Sequence, residues 1–169
     1  MRKTVIGVMG PGDEASEINK KDAYELGREI AKNGWVLLNG GRNVGVMDAV
    51  SKGAHDAHGL VIGILPFNDG ADASEGVDIQ IITGMAGGRN IINVRSSDVV
   101  VACGIGAGTA SEIAHALKIK KPTILLGTGE KAEAFFKEIG PKIVITAKNV
   151  NETIKLIKKI IKSLSGIYF

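Results

Sequence analysis

The chain of 169 residues has one cysteine, one glutamine and few aromatic residues, which make up 4% of it. The single Cys103 excludes an intramolecular disulfide and fits a reducing compartment. With so few aromatics, the core has to be built from Val, Ile, Leu and Ala. No apolar run is long enough to span a membrane, and no signal-peptide pattern precedes Val5. The expectation is a cytoplasmic protein with no membrane partner. One glutamine among many Lys, Glu and Ile matches a thermophilic bias of composition. Net charge is only +3, and much of the excess lies in Lys155, Lys158, Lys159 and Lys162. No aromatics interleave with these lysines, so they read as the wet face of a helix, and nucleic acid is not expected as a partner.

Two nucleotide-binding motifs are missing as well. No Gly-Lys-Ser/Thr follows a glycine-rich loop, which excludes a P-loop. The first apolar run lacks the Gly-x-Gly-x-x-Gly spacing after it, and the second ends in Leu37-Leu38-Asn39 with no acid for a ribose. Both absences disfavour NAD.

Glycine is what the chain has in excess: 23 residues, about twice ordinary usage of roughly 7%. Thr4–Met9 is a short apolar run closed by Gly10-Pro11-Gly12, and Trp35–Leu38 one closed by Asn39-Gly40-Gly41. Leu60–Leu65, Ile79–Ile82, Val99–Cys103, Thr123–Leu126 and Ile143–Ile145 are further strand-like runs. Helical spacing fills about 14–33, 46–57, 89–96, 110–119, 132–139 and 149–164. Segment 67–78, polar and rich in Gly, Asp and Ala, reads as a mobile surface loop rather than a domain linker. Apolar strands alternating with helices predict an α/β fold: a Rossmann-like, doubly wound parallel sheet in one domain spanning residues 1–169. Right-handed crossovers then bring every strand's C-terminal end to one edge, where such folds bind ligands.

Three glycine clusters fall on that edge: Gly10 with Gly12, Gly40 with Gly41, and Gly104, Gly106 and Gly108. A glycine-rich turn entering a helix offers free N–H groups and a favourable dipole to a phosphate. Each cluster alone would also serve as a tight strand-to-helix turn. Glu112 reads either as a catalytic carboxylate or as the partner of Thr109 in a Thr-x-x-Glu capping box. Arg89 and Arg95 read as phosphate forks or as surface arginines. His115 reads as packed, and His55 with His58 as a helix end rather than a metal site, so no metal is expected. Cys103, closing a strand, reads as core.

Gly104-Ile-Gly-Ala-Gly-Thr-Ala-Ser-Glu112 resembles the Pro-Gly-Gly-x-Gly-Thr-x-x-Glu signature of the Lonely Guy (LOG) family. Asn39–Met47 resembles that family's glycine-rich loop, and Arg89 stands in register with its catalytic arginine. The resemblance runs from about Val5 to Leu126. It implies a phosphoribohydrolase, which frees the base of a nucleoside 5′-monophosphate, with Arg89 and Glu112 as catalytic residues. Departures point to a sister branch: Gly104-Ile105-Gly106 stands for Pro-Gly-Gly, and Arg89-Asn90 for Arg-Lys. Gly84–Asp98 followed by Val-Val-Val-Ala-Cys-Gly is similar to the molybdenum cofactor carrier proteins, which hold a phosphorylated pterin instead of cleaving a nucleotide. That resemblance implies a small phosphorylated ligand, the molybdenum cofactor (molybdopterin) being the candidate cargo, and a homo-oligomer, dimer or tetramer. The expected ligand contacts are Gly10, Gly12, Gly40, Gly41, Gly104, Gly106, Ala107, Gly108 and Thr109. The alternatives are the hydrolase and a nucleotide sensor. The face around Ala114, Leu117 and Ile119 reads either as an apolar interface between subunits or as ordinary packing against the sheet.

Overall fold

The computed structural model describes residues 2–165. Strand β1 (Val5–Met9) leads into α1 (Glu17–Lys32), and β2 (Val36–Asn39) into α2 (Gly45–Asp56). Strand β3 (Val61–Leu65) is followed by β4 (Ile79–Ile82), then by a 3-10 turn (Ala86–Arg89) that continues as α3 (Asn90–Ser96). The order closes with β5 (Val99–Cys103), α4 (Ala107–Lys118), β6 (Thr123–Leu126), α5 (Glu130–Ile139), β7 (Val144–Ala147) and α6 (Val150–Ser165). Among the described residues the strands form one seven-stranded sheet, ordered β4-β3-β2-β1-β5-β6-β7. Every neighbouring pair is parallel. This is the single-domain, doubly wound, Rossmann-like architecture expected from the alternation of elements.

Strand periodicity explains how the apolar runs are used. In β5, Val99, Val101 and Cys103 face the side covered by α1, α2 and α6. Ala102 packs on Ile113 and Phe136 on the other side, and Val100 on Val94 and Ala116. A run buried on both faces has no polar positions, which is why it reads as continuous rather than alternating.

Three local features refine this picture. Strand β4 is an edge strand, and Ile79, Ile81 and Ile82 stay 42–49% exposed, because no helix lies between β3 and β4 to cover it. Segment 67–78 is a surface loop joined to the domain by hydrogen bonds. Arg42 Nε donates to Asp72 Oδ2 at 2.7 Å, Asn43 N–H to Asp72 O, and Ser74 Oγ to Asp48 Oδ1 at 2.8 Å. Leu117 and Ile119 pack inward against the core, leaving only Ala114 of the expected subunit face exposed.

Helices α1 and α2 meet through glycine on both sides. A Cβ at Gly27 would strike the Val50 carbonyl, and one at Gly53 the Tyr24 carbonyl. Backbone cannot yield as a side chain does, so a methyl here must part the helices. Gly53→Ala should lower stability by about 1–3 kcal/mol, as overpacking does. The check is a lower urea midpoint at unchanged slope.

Candidate functional site

Strand order reverses between β1 and β5, since the chain builds outward from β1 to β4 and then returns to the other side of β1. The loops leaving these two strands are in direct contact. A Cβ at Gly10 would lie 2.6 Å from Cys103 O, and one at Gly106 would lie 3.3 Å from Pro11 Cβ. Side chains are excluded there, so the two loops run together and open one cleft of about 300 Å³ above the strand ends.

Helix α4 forms the floor. It starts at Ala107 with Gly106 at its cap position, and no side chain caps it. The helix therefore begins three residues earlier than the expected start at residue 110, and Ala107, Gly108 and Thr109 carry the free N–H groups of a helix start. Thr109 is the third helical residue and Glu112 the sixth, so the Thr-x-x-Glu capping box does not form. A left-handed turn at Gly104 (φ 78°) already redirects the chain, so Gly106 and Gly108 are free to enter the helix.

Arg89 is 8% exposed, not a surface arginine. Its Nη1 donates to the carbonyls of Gly40 and Ile64, both at 2.6 Å, while its buried Nε has no protein partner. Burial lowers the guanidinium from its usual range, and Glu112 pulls it back up. Arg95 is exposed and does not line the cleft; its carbonyl accepts from Lys121 Nζ. The difference is one of helix phase: Arg89 and Asn93 share a face, and Arg95 lies off it.

Glu112 is buried, and its Oε1 accepts from Asn93 Nδ2 at 2.9 Å. Burial pushes this carboxyl from 4.5 up to about 7, against the opposing effects of the Asn93 hydrogen bond and Arg89. Thr109 Oγ1 and Asn93 Oδ1 are buried without a protein partner, and both residues line the cleft. Unsatisfied buried polar atoms are costly, so their concentration here marks a place built for another molecule's polar groups.

Of the expected contacts, Gly10, Gly12, Gly40, Gly106, Ala107, Gly108 and Thr109 line the cleft, together with Arg89 and Glu112. Gly41 and Gly104 do not. Gly41 (φ 74°) packs back to back on Gly63, and Gly104 packs on Asn19 and Pro11; each shapes a turn. Elsewhere, His55 Nδ1 lies 3.8 Å from Asp78 Oδ1 at the far end of α2, and burial pushes the Cys103 thiol up to about 12. Sequence reasoning missed Glu14, Arg42 and Asn93 as lining residues. A signal for Asn93 existed: it sits one helical turn after Arg89, polar between Ile92 and Val94.

Fold and cleft together define a Rossmann-like α/β protein with a ligand-sized cleft where strand order reverses. The chain belongs to the SLOG cluster4 family, whose model matches residues 3–154. It is similar to the molybdenum cofactor binding protein of Rippkaea orientalis, 53% identical with a TM-score of 0.94, covering 95% of this chain and 99% of that one. The Moco carrier protein of Chlamydomonas reinhardtii is 47% identical with a TM-score of 0.91, covering 96% and 99%. The cytokinin riboside 5′-monophosphate phosphoribohydrolase LOG of Oryza sativa subsp. japonica is 27% identical over 78% of this chain and 63% of its own length.

The buried carboxyl has a measurable signature. A carboxyl whose folded pKa lies above its unfolded one binds more protons in the native state, so stability falls as pH rises between the two values. For Glu112 that window runs from 4.5 to about 7. Across it the wild type should lose up to about 3 kcal/mol that Glu112→Gln keeps. Urea unfolding of both proteins from pH 5 to 8 checks this; parallel curves would refute the burial of an ionisable Glu112.

Proposed function

We propose that the cleft binds a phosphorylated small molecule, its phosphate at the start of α4, and that this ligand is the molybdenum cofactor, held as cargo. One observation carries the reading: the helix start at Gly106-Ala107-Gly108, which no side chain caps, opens into the cleft beside the partnerless Thr109 hydroxyl, with Pro11, Glu14 and Asn90 at its rim. Free N–H groups and the helix dipole favour an anion there. A phosphorylated pterin fits the rest of the cleft, whose volume stands at the lower end of small-molecule pockets and whose wall carries both a free acceptor, Asn93 Oδ1, and a free donor, Arg89 Nε. The similarity to proteins described as molybdenum cofactor carriers supports the choice of cargo. The absence of a membrane-crossing helix among the described residues is compatible with a cytoplasmic carrier.

Self-association belongs to the same proposal. The exposed Ile79, Ile81 and Ile82 of edge strand β4, rather than the Ala114 face, supply the apolar surface for a second copy. Light scattering should return a dimer or tetramer mass at micromolar concentration, and Ile81→Lys should lower it.

A second reading has its own support. Glu112, held near neutrality beside Arg89, is suited to a hydrolase, where a carboxylate stabilises a ribosyl cation or activates the water that attacks its anomeric carbon. The glycosidic C–N bond would break, water's oxygen would bond to the ribose, and a proton would pass to the base. Asn90 weighs against it, because this position carries no cation and its Nδ2 is occupied with Ser111 Oγ at 3.0 Å.

Gly108→Val tests the phosphate position. Within 4 Å of a Cβ at this glycine lies only Asn90 Nδ2, at 3.8 Å, so the variant should fold. Its affinity for inorganic phosphate and AMP should fall more than about tenfold, or 1.4 kcal/mol; unchanged calorimetric affinity would overturn the placement. Denaturing the purified protein should release a pterin identifiable by mass spectrometry. Turnover of AMP, GMP, CMP, UMP or IMP, lost in Glu112→Gln, would favour the hydrolase instead.

A further inference from the structure

Asn93 occupies an unusual place in the cleft. It is 1% exposed on α3, its Nδ2 is spent on Glu112, and its Oδ1 has no partner in the protein. Nearly all buried polar side chains find partners, so an amide satisfied at one end and open at the other needs an account. Its backbone carbonyl is separately engaged by Ser97 Oγ at 2.8 Å, which holds the end of α3 and leaves the side chain free to serve the cleft.

An amide is a donor at one end and an acceptor at the other, in nearly the same shape. An ionised Glu112 only accepts, so it takes the Nδ2 end and leaves Oδ1 for the cleft. A protonated Glu112 also donates, and its O–H can serve the Oδ1 end. Turning the amide half a revolution about its last side-chain bond then presents Nδ2 to the cleft.

We infer that Asn93 is the specificity-determining residue of the cleft, reading the ligand's ring edge with an acceptor when Glu112 is ionised and with a donor when Glu112 carries a proton. The inference rests on the ligand-binding role proposed above. It selects heterocycles that carry an N–H or amino donor beside a ring acceptor, the pattern of aminopterins and purines, over rings without one.

The surroundings decide when the reversal occurs. Arg89, from the 3-10 turn, faces Glu112 and favours its ionised form. Arg42, from the loop after β2, and Glu14, from the loop after β1, line the same cleft with opposite charge. His115 lies one turn further along α4, with Nε2 buried and unpartnered. Burial, opposed by the Asn93 hydrogen bond and Arg89, pushes the carboxyl up to about 7, so both of its forms are within reach of the amide near neutral pH.

The test is side-chain NMR of uniformly labelled protein. The Asn93 amide, assigned through bonds to its own backbone, is followed from pH 5.5 to 8.5 beside the Glu112 carboxyl carbon. Both should titrate with one midpoint, and the Asn93 response should vanish in Glu112→Gln. A Glu112 that titrates while the Asn93 amide stands still would overturn the reversal, as would a Glu112 that does not titrate in this range. Neither measurement uses a ligand, so both stand whatever becomes of the carrier proposal. AMP and inorganic phosphate then probe recognition. Saturating AMP should shift the Asn93 amide and move the shared midpoint by half a pH unit or more, whereas phosphate alone should not. AMP that saturates without touching the amide would overturn the specificity role. Failure of both probes to bind would instead overturn the ligand-binding reading beneath it.

Discussion

A guanidinium is buried where the strands end, held by the carbonyl oxygens of Gly40 and Ile64. The rest of the cleft depends on that attachment. Arg89 closes the 3-10 turn, so fixing its side chain against the ends of β2 and β3 fixes where α3 begins. The start of α3 sets the position of Asn93 one turn later, and Asn93 holds Glu112 of α4. Three elements distant in sequence are thus aligned through one cation. Gly40 is part of the same constraint: a Cβ there would lie 2.6 Å from Met47 Sδ and strike the guanidinium itself. Carbonyls rather than carboxylates hold Arg89, so much of its charge is left uncancelled within the site.

The fold was legible because parallel sheets leave an unmistakable trace. Val99–Cys103 and the runs like it are apolar throughout, and the glycine clusters mark where the chain leaves the sheet. Most of the loop residues expected at the ligand do line the cleft. What failed was finer. Gly41 and Gly104 looked the same as Gly40 and Gly106 in sequence, but their left-handed backbone turns them away from the cavity. Glu112 was found, and the one partner the sequence offered for it was Thr109, because a capping box is a contact within one helix. Its actual partner, Asn93, belongs to another helix nineteen residues earlier in the chain, and no local rule reaches that far.

The two relatives' activities make different demands on one architecture. Under the proposed reading, both would use an anion site at the start of α4 and a wall that accepts a planar ring. A hydrolase needs its carboxylate turned to the ribose, where charge develops in the transition state. Here the carboxylate is committed to a neutral amide in a buried pocket, and the position after Arg89 carries Asn90, which bonds to Ser111. Those features suit holding a molecule more than breaking it.

The glycine contact between α1 and α2 also has a mechanical meaning. Each helix follows a loop that walls the cleft, the first through Gly10–Glu14 and the second through Gly40 and Arg42. With backbone seated on backbone at Gly27 and Gly53, the two helices have no side-chain cushion between them and must shift as one body. That side of the cleft is a stiff jaw. The opposite side, carried on short α3, is pinned by side chains instead: Arg89 to the carbonyls of Gly40 and Ile64, Asn93 to Glu112, and Asn90 to Ser111.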